Sequence, residues 1–164
     1  MNYLQAIDFG INSLKQKKTK NYNLDSELLL AKVLNLTREE LLINLNKKIQ
    51  KNIFIKYKKL IKRRAKKEPI AYLLKKKEFW KYRFYVNKDV LIPRPETELI
   101  IEETLKIIRP ESSKRLLDVG TGSGCIIISL ANDCPNLMGT AIDISKKALK
   151  LAKINAKMHQ LLNR

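Results

Sequence analysis

The sequence contains few of the residues on which disulfide-stabilised domains and metal sites depend. Its 164 residues include two cysteines, Cys125 and Cys134, and one histidine, His159. Two cysteines without CxxC spacing argue against a disulfide framework or a zinc site, and we expect both thiols to be free and buried. One histidine on a late amphipathic segment indicates packing or a surface position rather than a metal ligand or a catalytic triad. No metal site is therefore predicted.

Long apolar runs are also lacking. No segment approaches the ~20 consecutive apolar residues that a membrane-spanning helix needs, so no membrane partner is expected. The N-terminus, Met1 to Gln5, has no basic region followed by an uninterrupted apolar segment, and we expect no signal peptide. With 45% hydrophobic residues the chain can still bury a core. These observations predict a cytoplasmic protein of one ordinary domain or two small ones.

Acidic residues are scarce relative to basic ones. The chain has 34 lysines and arginines against 16 aspartates and glutamates, which gives a formal net charge of +18. A basic surface can attract RNA, a ribosome or an acidic protein. However, 26 of the 34 basic residues are lysines, whereas nucleic-acid readers favour arginine for its bidentate hydrogen bonds. We therefore favour compositional bias over a functional charge, and direct nucleic-acid binding is not expected.

The first part of the chain has the apolar spacing of helices. Apolar residues recur every three or four positions between Leu4 and Leu14. Asn23 and Asp25 are expected to cap a second helix, and the segment from Thr37 to Glu40 has the pattern of a capping box. The lysine-rich cover of a fourth helix, around Ile53–Ile61, predicts a solvated face, with a docking surface for an acidic partner as the alternative.

The middle of the chain changes from helical spacing to a period of two. The dipeptide Glu68-Pro69 marks a boundary, because proline restricts the residue before it. Phe79-Trp80, the stretch 83–86 and Val90–Ile92, with turn residues at 87–89, predict a β-hairpin. Pro95 is expected to open a helix that Pro110 ends. We predict a helical domain at 1–74, a hairpin connector at 75–92 and a Rossmann-like α/β domain at 93–164.

A glycine-rich turn dominates the last part. The apolar run 116–119 leads into Gly120–Gly124 and an apolar helix, and a second apolar run, Met138–Ile142, ends at Asp143. This order predicts two parallel strands joined by a helix, with a carboxylate placed to accept hydrogen bonds from both hydroxyls of a ribose. The alternative is a tight strand–helix turn in another α/β domain. Asp118 is expected to order the turn by accepting backbone N–H bonds.

The glycine spacing distinguishes between nucleoside cofactors. Dinucleotide folds use G-x-G-x-x-G, whereas this chain has G-x-G-x-G, with Cys125 where the third glycine would fall. With the acidic Asp118 two residues before the first glycine, the segment resembles motif I of the S-adenosylmethionine (SAM)-dependent methyltransferases.

A wider resemblance rests on several segments in order. These are EPIAYL at 68–73, EFW at 78–80, LIPRPETE at 91–98 and LDVGTGSG at 117–124. Together they resemble the release-factor glutamine methyltransferases, the HemK/PrmC family, over essentially the whole chain. The resemblance implies a helical domain that engages a class 1 peptide-chain release factor, and a class I SAM-dependent catalytic domain. That family methylates the side-chain amide nitrogen, N5, of the glutamine in the release factor's Gly-Gly-Gln motif.

The resemblance also implies which residues form the site. The cofactor-binding set comprises Gly120, Thr121, Gly122, Ser123, Gly124 and Asp143. Four further residues are expected beside the cofactor and substrate pocket: Leu91, Pro93, Arg94 and Thr97. For Arg94 an alternative stays open, since it could instead be an ion-pair partner of Glu96 or Glu98.

One motif of the family is not in this sequence. The family holds the substrate amide with an Asn-Pro-Pro-Tyr segment after the fourth strand, and no Asn-Pro dipeptide occurs here. We therefore expect the N-terminal portion of an enzyme, monomeric and inactive alone, and we assign no catalytic residue. Two other hypotheses remain: a non-catalytic translation-factor-binding module, and a methyltransferase acting on adenine N6 in nucleic acid.

Overall fold

The computed structural model describes residues 1–108 and 113–164. The chain forms two compact units, Met1–Leu74 and Lys75–Arg164. Pro110, which the sequence predicts to end a helix, lies outside the described residues. Within the described ranges, every helix is too short or too polar to cross a lipid bilayer. The same ranges contain no group of three or more histidine, cysteine or carboxylate side chains arranged to hold a metal ion.

The first unit is built of helices, as the apolar spacing predicts. They are α1 (Tyr3–Gln16), α2 (Tyr22–Leu34), α3 (Arg38–Leu42), α4 (Lys51–Ala65) and α5 (Ile70–Leu74). Helices α1, α2 and α4 contact one another. Their apolar faces bury a common core, whose largest fully buried side chains are Leu14, Leu29, Leu30, Leu41, Tyr57 and Leu73.

The helix starts in this unit agree only partly with the sequence. Thr37 and Glu40 form the expected capping box: each side chain accepts a hydrogen bond from the other residue's backbone N–H. The expectation that Asn23 and Asp25 cap the second helix is wrong, because α2 already begins at Tyr22. Asp25 instead forms an ion pair with Arg64.

Buried polar groups join α1, α2 and α4. The carboxylate of Asp25 accepts a hydrogen bond from Arg64 Nε at 2.7 Å, and both side chains are largely buried. Ser26 Oγ donates to the carbonyl of Ile7 at 2.8 Å and lies 2.7 Å from the hydroxyl of Tyr57. Because the single hydroxyl hydrogen of Ser26 is used on Ile7, the Tyr57 hydroxyl donates to Ser26, and burial raises the pKa of Tyr57. These contacts fix the spacing of three helices.

The second unit opens with a short β-hairpin. Strands β1 (Lys77–Phe79) and β2 (Tyr82–Phe84) pair antiparallel. The turn between them is tight, and Trp80 adopts a positive φ of 57°. The hairpin is shorter than predicted, since Val90–Ile92 is not part of a strand in the described structure. The residues at 87–89 do form a turn, in which the Asp89 backbone N–H donates to the Asn87 side chain.

Asp133 anchors the hairpin to the helix that follows the glycine turn. Its carboxylate accepts hydrogen bonds from Trp80 Nε1 at 2.7 Å, from Lys81 Nζ at 3.1 Å and from the Tyr82 hydroxyl. Burial alone would raise the pKa of Asp133, but these donors outweigh burial and hold that pKa below its usual value. Burial and the adjacent carboxylate raise the pKa of Tyr82 to about 12.

His159 joins the hairpin to the last helix. Its Nε2 lies 3.0 Å from the carbonyl oxygen of Arg83, and its ring centroid lies 5.2 Å from that of Phe84. The histidine therefore has a packing role. Cys125 and Cys134 are free and buried, as the sequence predicts.

The remainder of this unit has the predicted strand–helix–strand order. A 3₁₀ turn with Pro95 at its start precedes helix α6 (Glu98–Ile107). Strands β3 (Lys114–Val119) and β4 (Leu137–Ile142) then pair in parallel, with α7 (Cys125–Asp133) between them and α8 (Lys146–Met158) after them. The mixed helical and α/β architecture expected from the sequence is thus confirmed.

The two faces of the β3–β4 sheet differ in burial. Leu116 and Ala141 lie against the core that α7 completes. On the opposite face Leu117 is 58% exposed and Val119 is 71% exposed. Because side chains alternate along a strand, one face is covered and the other is open among the described residues.

Candidate functional site

The glycine turn bends over the carboxyl end of the two parallel strands. Gly120, Gly122 and Gly124 have φ angles of 81°, 56° and 79°, which residues with a Cβ rarely adopt. The backbone N–H groups of Gly120 and Thr121 both donate to the carbonyl of Ile142, at 2.9 and 3.0 Å. The end of β4 therefore holds the turn that follows β3.

Gly120 and Gly124 are needed for different reasons. A Cβ at Gly124 would lie 2.8 Å from Ile128 Cδ1 and 3.3 Å from the Cβ of Ala152, so this glycine lets α7 and α8 approach closely. A Cβ at Gly120 would meet nothing within 4 Å. The exposed Gly120 thus leaves open space beside the backbone, where a ligand can approach.

Asp118 orders the turn, although not through the expected donor. Its carboxylate accepts a hydrogen bond at 2.7 Å from the hydroxyl of Thr121, where the sequence predicted a backbone N–H. Thr121 and Ser123 are both buried. Their side chains therefore serve the shape of the turn, and a ligand would meet this segment mainly through its backbone and through Gly120.

Asp143 stands at the carboxyl end of β4, next to the turn. Its Oδ2 accepts from the backbone N–H of Gly122 at 2.9 Å, and its Oδ1 accepts from the backbone N–H of Ser145 at 2.8 Å. A carboxylate has about four acceptor positions, so two are still free in this arrangement. The side chain is half-buried and can reach a ligand over the turn.

Sequence reasoning missed Asn155, which contacts the glycine turn from α8. This residue is fully buried, and its Nδ2 donates to the carbonyls of Ser123 at 2.8 Å and Tyr85 at 3.0 Å. Its Oδ1 accepts from the Tyr85 backbone N–H at 2.7 Å. A signal was present in the sequence, because Asn155 continues the buried stripe of Ala148 and Leu151 at helical spacing.

The four residues expected beside the pocket differ in exposure. Leu91 is 72% exposed, Arg94 is exposed, Thr97 is half-buried and Pro93 is buried. Among the described residues, no ion pair joins Arg94 to Glu96 or Glu98. Glu98 instead accepts a hydrogen bond from the backbone of Trp80. The ion-pair alternative for Arg94 thus finds no support.

A cavity of about 230 Å³ lies within the second unit. Its walls come from α7, β4, α8 and the last residues of the chain, and they include Gly124, Ile127, Ala152 and Leu161. Leu91, Pro93, Arg94 and Thr97 do not line it. The space that Gly120 leaves open is therefore distinct from this cavity.

The described site consists of the backbone of the glycine turn, with the carboxylate of Asp143 beside it. The structure brings together the turn Gly120–Gly124, Asp118 and Asp143 at one end of a parallel sheet. Such an arrangement can hold a nucleoside whose hydroxyls donate to the carboxylate. The hydrogen bonds described there are those that shape the turn and leave acceptor positions of Asp143 for a ligand.

Two domain families match the sequence. Residues 5–74 match the PrmC N-terminal domain, and residues 110–163 match a methyltransferase domain. The two matches fall on the first unit and on the α/β part of the second unit.

Curated proteins match nearly all of the chain. The release factor glutamine methyltransferase of Coxiella burnetii is 44% identical over 96% of this chain and 58% of its own length. That of Koribacter versatilis is 40% identical over 95% of this chain and 56% of its own length. A bifunctional methyltransferase of Rickettsia bellii is 36% identical over 96% of this chain and 33% of its own length. The chain spans a little over half the length of the first two relatives, and over nearly all of its own length it is similar in sequence to these release factor glutamine methyltransferases.

Proposed function

We propose that this chain carries the cofactor-binding part of a SAM-dependent methyltransferase that modifies a glutamine side-chain amide in a class 1 peptide-chain release factor. One observation carries the proposal: three positive-φ glycines and Asp143 meet at the carboxyl end of parallel strands in a segment that matches a methyltransferase domain. The names of the relatives support the choice of substrate.

The residues at this edge fit a nucleoside cofactor. Gly120 leaves open space where any other residue would place a Cβ, which suits a ligand lying against the backbone. Asp143 has about two acceptor positions beyond those used by Gly122 and Ser145, enough for the two hydroxyls of a ribose. The positive φ of Gly120 calls for glycine in any case, but among the described residues no side chain fills the open space beside it, whereas Gly124 is also needed for packing.

SAM, when bound, supplies an electrophilic methyl group on a sulfonium. The protein's part here is to bind and orient. In our proposal Gly120–Gly124 lie along the cofactor and Asp143 holds its ribose. Leu91, Pro93, Arg94 and Thr97 form the neighbouring wall toward the substrate.

The helical unit is proposed to engage the release factor. Support comes from its match to the PrmC N-terminal domain over residues 5–74. Its helices have a complete buried core of their own. This unit can therefore present a preformed surface, which lowers the entropy cost of docking.

Transfer of radiolabelled methyl groups from SAM tests the proposal directly. The protein encoded by the complete gene is incubated with a purified class 1 release factor, with a variant of that factor carrying alanine for the glutamine, and with DNA and RNA. We expect label on the wild-type release factor alone. Label on nucleic acid would favour the adenine-N6 hypothesis instead. Binding to the factor without transfer would favour the non-catalytic module.

The 164-residue chain is the companion sample in that assay. We expect it to transfer no methyl groups, because it contains no Asn-Pro-Pro-Tyr segment to hold the amide nitrogen in line with the methyl donor. Transfer above the no-enzyme background by these residues alone would overturn this view of the site.

A further inference from the structure

Asn155 joins two segments that are far apart in sequence. Its side chain bonds the carbonyl of Ser123, 32 positions away, and both backbone groups of Tyr85, 70 positions away. Both donors of the amide are used, and the side chain is fully buried. A buried amide with all of its donors satisfied by two distant backbones fixes the distance between those backbones.

The two backbones lead to different parts of the candidate site. Ser123 lies between Gly122 and Gly124, both at positive φ, so a hydrogen bond to its carbonyl fixes the peptide plane from which α7 begins. Tyr85 follows the hairpin and leads, through the buried Val86 and Val90, toward Leu91 and Pro93. The same amide therefore fixes the position of the glycine turn relative to the start of the proposed pocket wall.

We propose that Asn155 is a positioning residue that holds the glycine turn in its ligand-binding shape and aligns it with the segment after the hairpin. Its effect on the cofactor rests on the function proposed above. Its effect on the turn rests only on the contacts of Asn155. Loss of the amide would leave the Ser123 and Tyr85 carbonyls without this donor, and a buried acceptor that loses its donor destabilises the conformation that buries it.

Three variants of the protein encoded by the complete gene test this role. Asn155→Leu keeps the number and branching of the side-chain heavy atoms and removes every hydrogen bond of the side chain. Asn155→Asp keeps the shape but, when ionised, points an oxygen at two carbonyls. Asp133→Asn is the matched control, because it weakens the anchor of the hairpin without touching Ser123. Circular dichroism establishes which variants are folded at the working temperature.

Amide hydrogen exchange is the first readout, since it does not depend on any ligand. Asn155→Leu should speed exchange both in the turn 120–124 and at Tyr85, whereas Asp133→Asn should speed it only in the hairpin. If Asn155→Leu does not fold, Asn155→Asp at pH 8, where its carboxyl is ionised and has no donor, supplies the comparison. Equal exchange in the turn for the wild type and a folded Asn155 variant would overturn the proposal.

Calorimetric titration with SAM is the second readout. We expect the dissociation constant to rise about tenfold or more in Asn155→Leu and to stay within about twofold in Asp133→Asn. For Asn155→Asp the loss should shrink as the pH falls, because the protonated carboxyl regains one O–H donor for the Ser123 or the Tyr85 carbonyl. An unchanged constant in Asn155→Leu would refute the positioning role. If the wild type binds no SAM, the proposed function fails, and hydrogen exchange still decides whether Asn155 holds the turn.

Discussion

Two glycines of the same turn should respond differently to alanine. Gly120 and Gly124 have nearly equal φ angles of 81° and 79°, so the backbone strain of alanine, about 1–2 kcal/mol, is common to both. At Gly124 the new Cβ would also lie 2.8 Å from Ile128 Cδ1 and 3.3 Å from Ala152 Cβ. Overpacking of this kind costs about 1–3 kcal/mol. We therefore expect a loss of about 2–5 kcal/mol for Gly124→Ala against about 1–2 kcal/mol for Gly120→Ala.

Urea unfolding of both variants measures this difference, provided that the slopes of the transitions match that of the wild type. For SAM affinity the order of the two variants should reverse. Gly120→Ala places a methyl group in the open space over the turn, so its SAM affinity should fall about tenfold or more although its fold is the better preserved. Equal destabilisation by Gly120→Ala and Gly124→Ala would refute the packing role of Gly124. Wild-type SAM affinity in Gly120→Ala would refute the role of the open space at Gly120 in binding the ligand.

Three further substitutions probe separate parts of the chain. Asp143→Ala should weaken SAM binding by about ten- to a hundredfold in a calorimetric titration, as expected for a lost charged acceptor, and an unchanged constant would reject the ribose role. Gly10→Ala should lower the free energy of unfolding of the helical unit, measured in urea, by about 2–4 kcal/mol, because its Cβ would overlap the Tyr57 hydroxyl and break that group's hydrogen bond to Ser26. A net gain in stability of about 1 kcal/mol, as helix propensity alone would give, would contradict this. Asp133→Asn should lower the melting temperature at pH 7. Because the folded pKa of Asp133 is depressed, the advantage of the carboxylate is present above pH ~4 and shrinks below it, so the two melting curves should converge in acid.

The glycine turn and its strands could be predicted from the sequence because their signals are local. Each signal occupies a few consecutive residues: an apolar run, a glycine at every second position, and a second apolar run that ends at Asp143. The positive φ angles at Gly120, Gly122 and Gly124 follow from the same short segment. The capping box at Thr37 is local in the same way, since donor and acceptor are three residues apart.

Long-range polar contacts escaped prediction for the opposite reason. Asp25 has the composition of a helix cap, but its partner Arg64 is 39 positions away and is brought near only by the packing of α2 on α4. Val90–Ile92 has the composition of a strand, yet no neighbouring strand of the described chain pairs with it. In both cases tertiary context decides between local options of similar free energy.

The contacts of the glycine turn come from every element around it. Asp118 on β3 binds Thr121, the end of β4 holds Gly120 and Thr121, Asp143 holds Gly122, and Asn155 on α8 holds Ser123. A turn fixed at successive residues has little conformational freedom left to lose when a ligand arrives. Its affinity then depends on contacts with the ligand rather than on ordering of the loop. This explains why a packing residue such as Asn155, remote from the open space at Gly120, is expected to influence binding as much as a residue that touches the ligand.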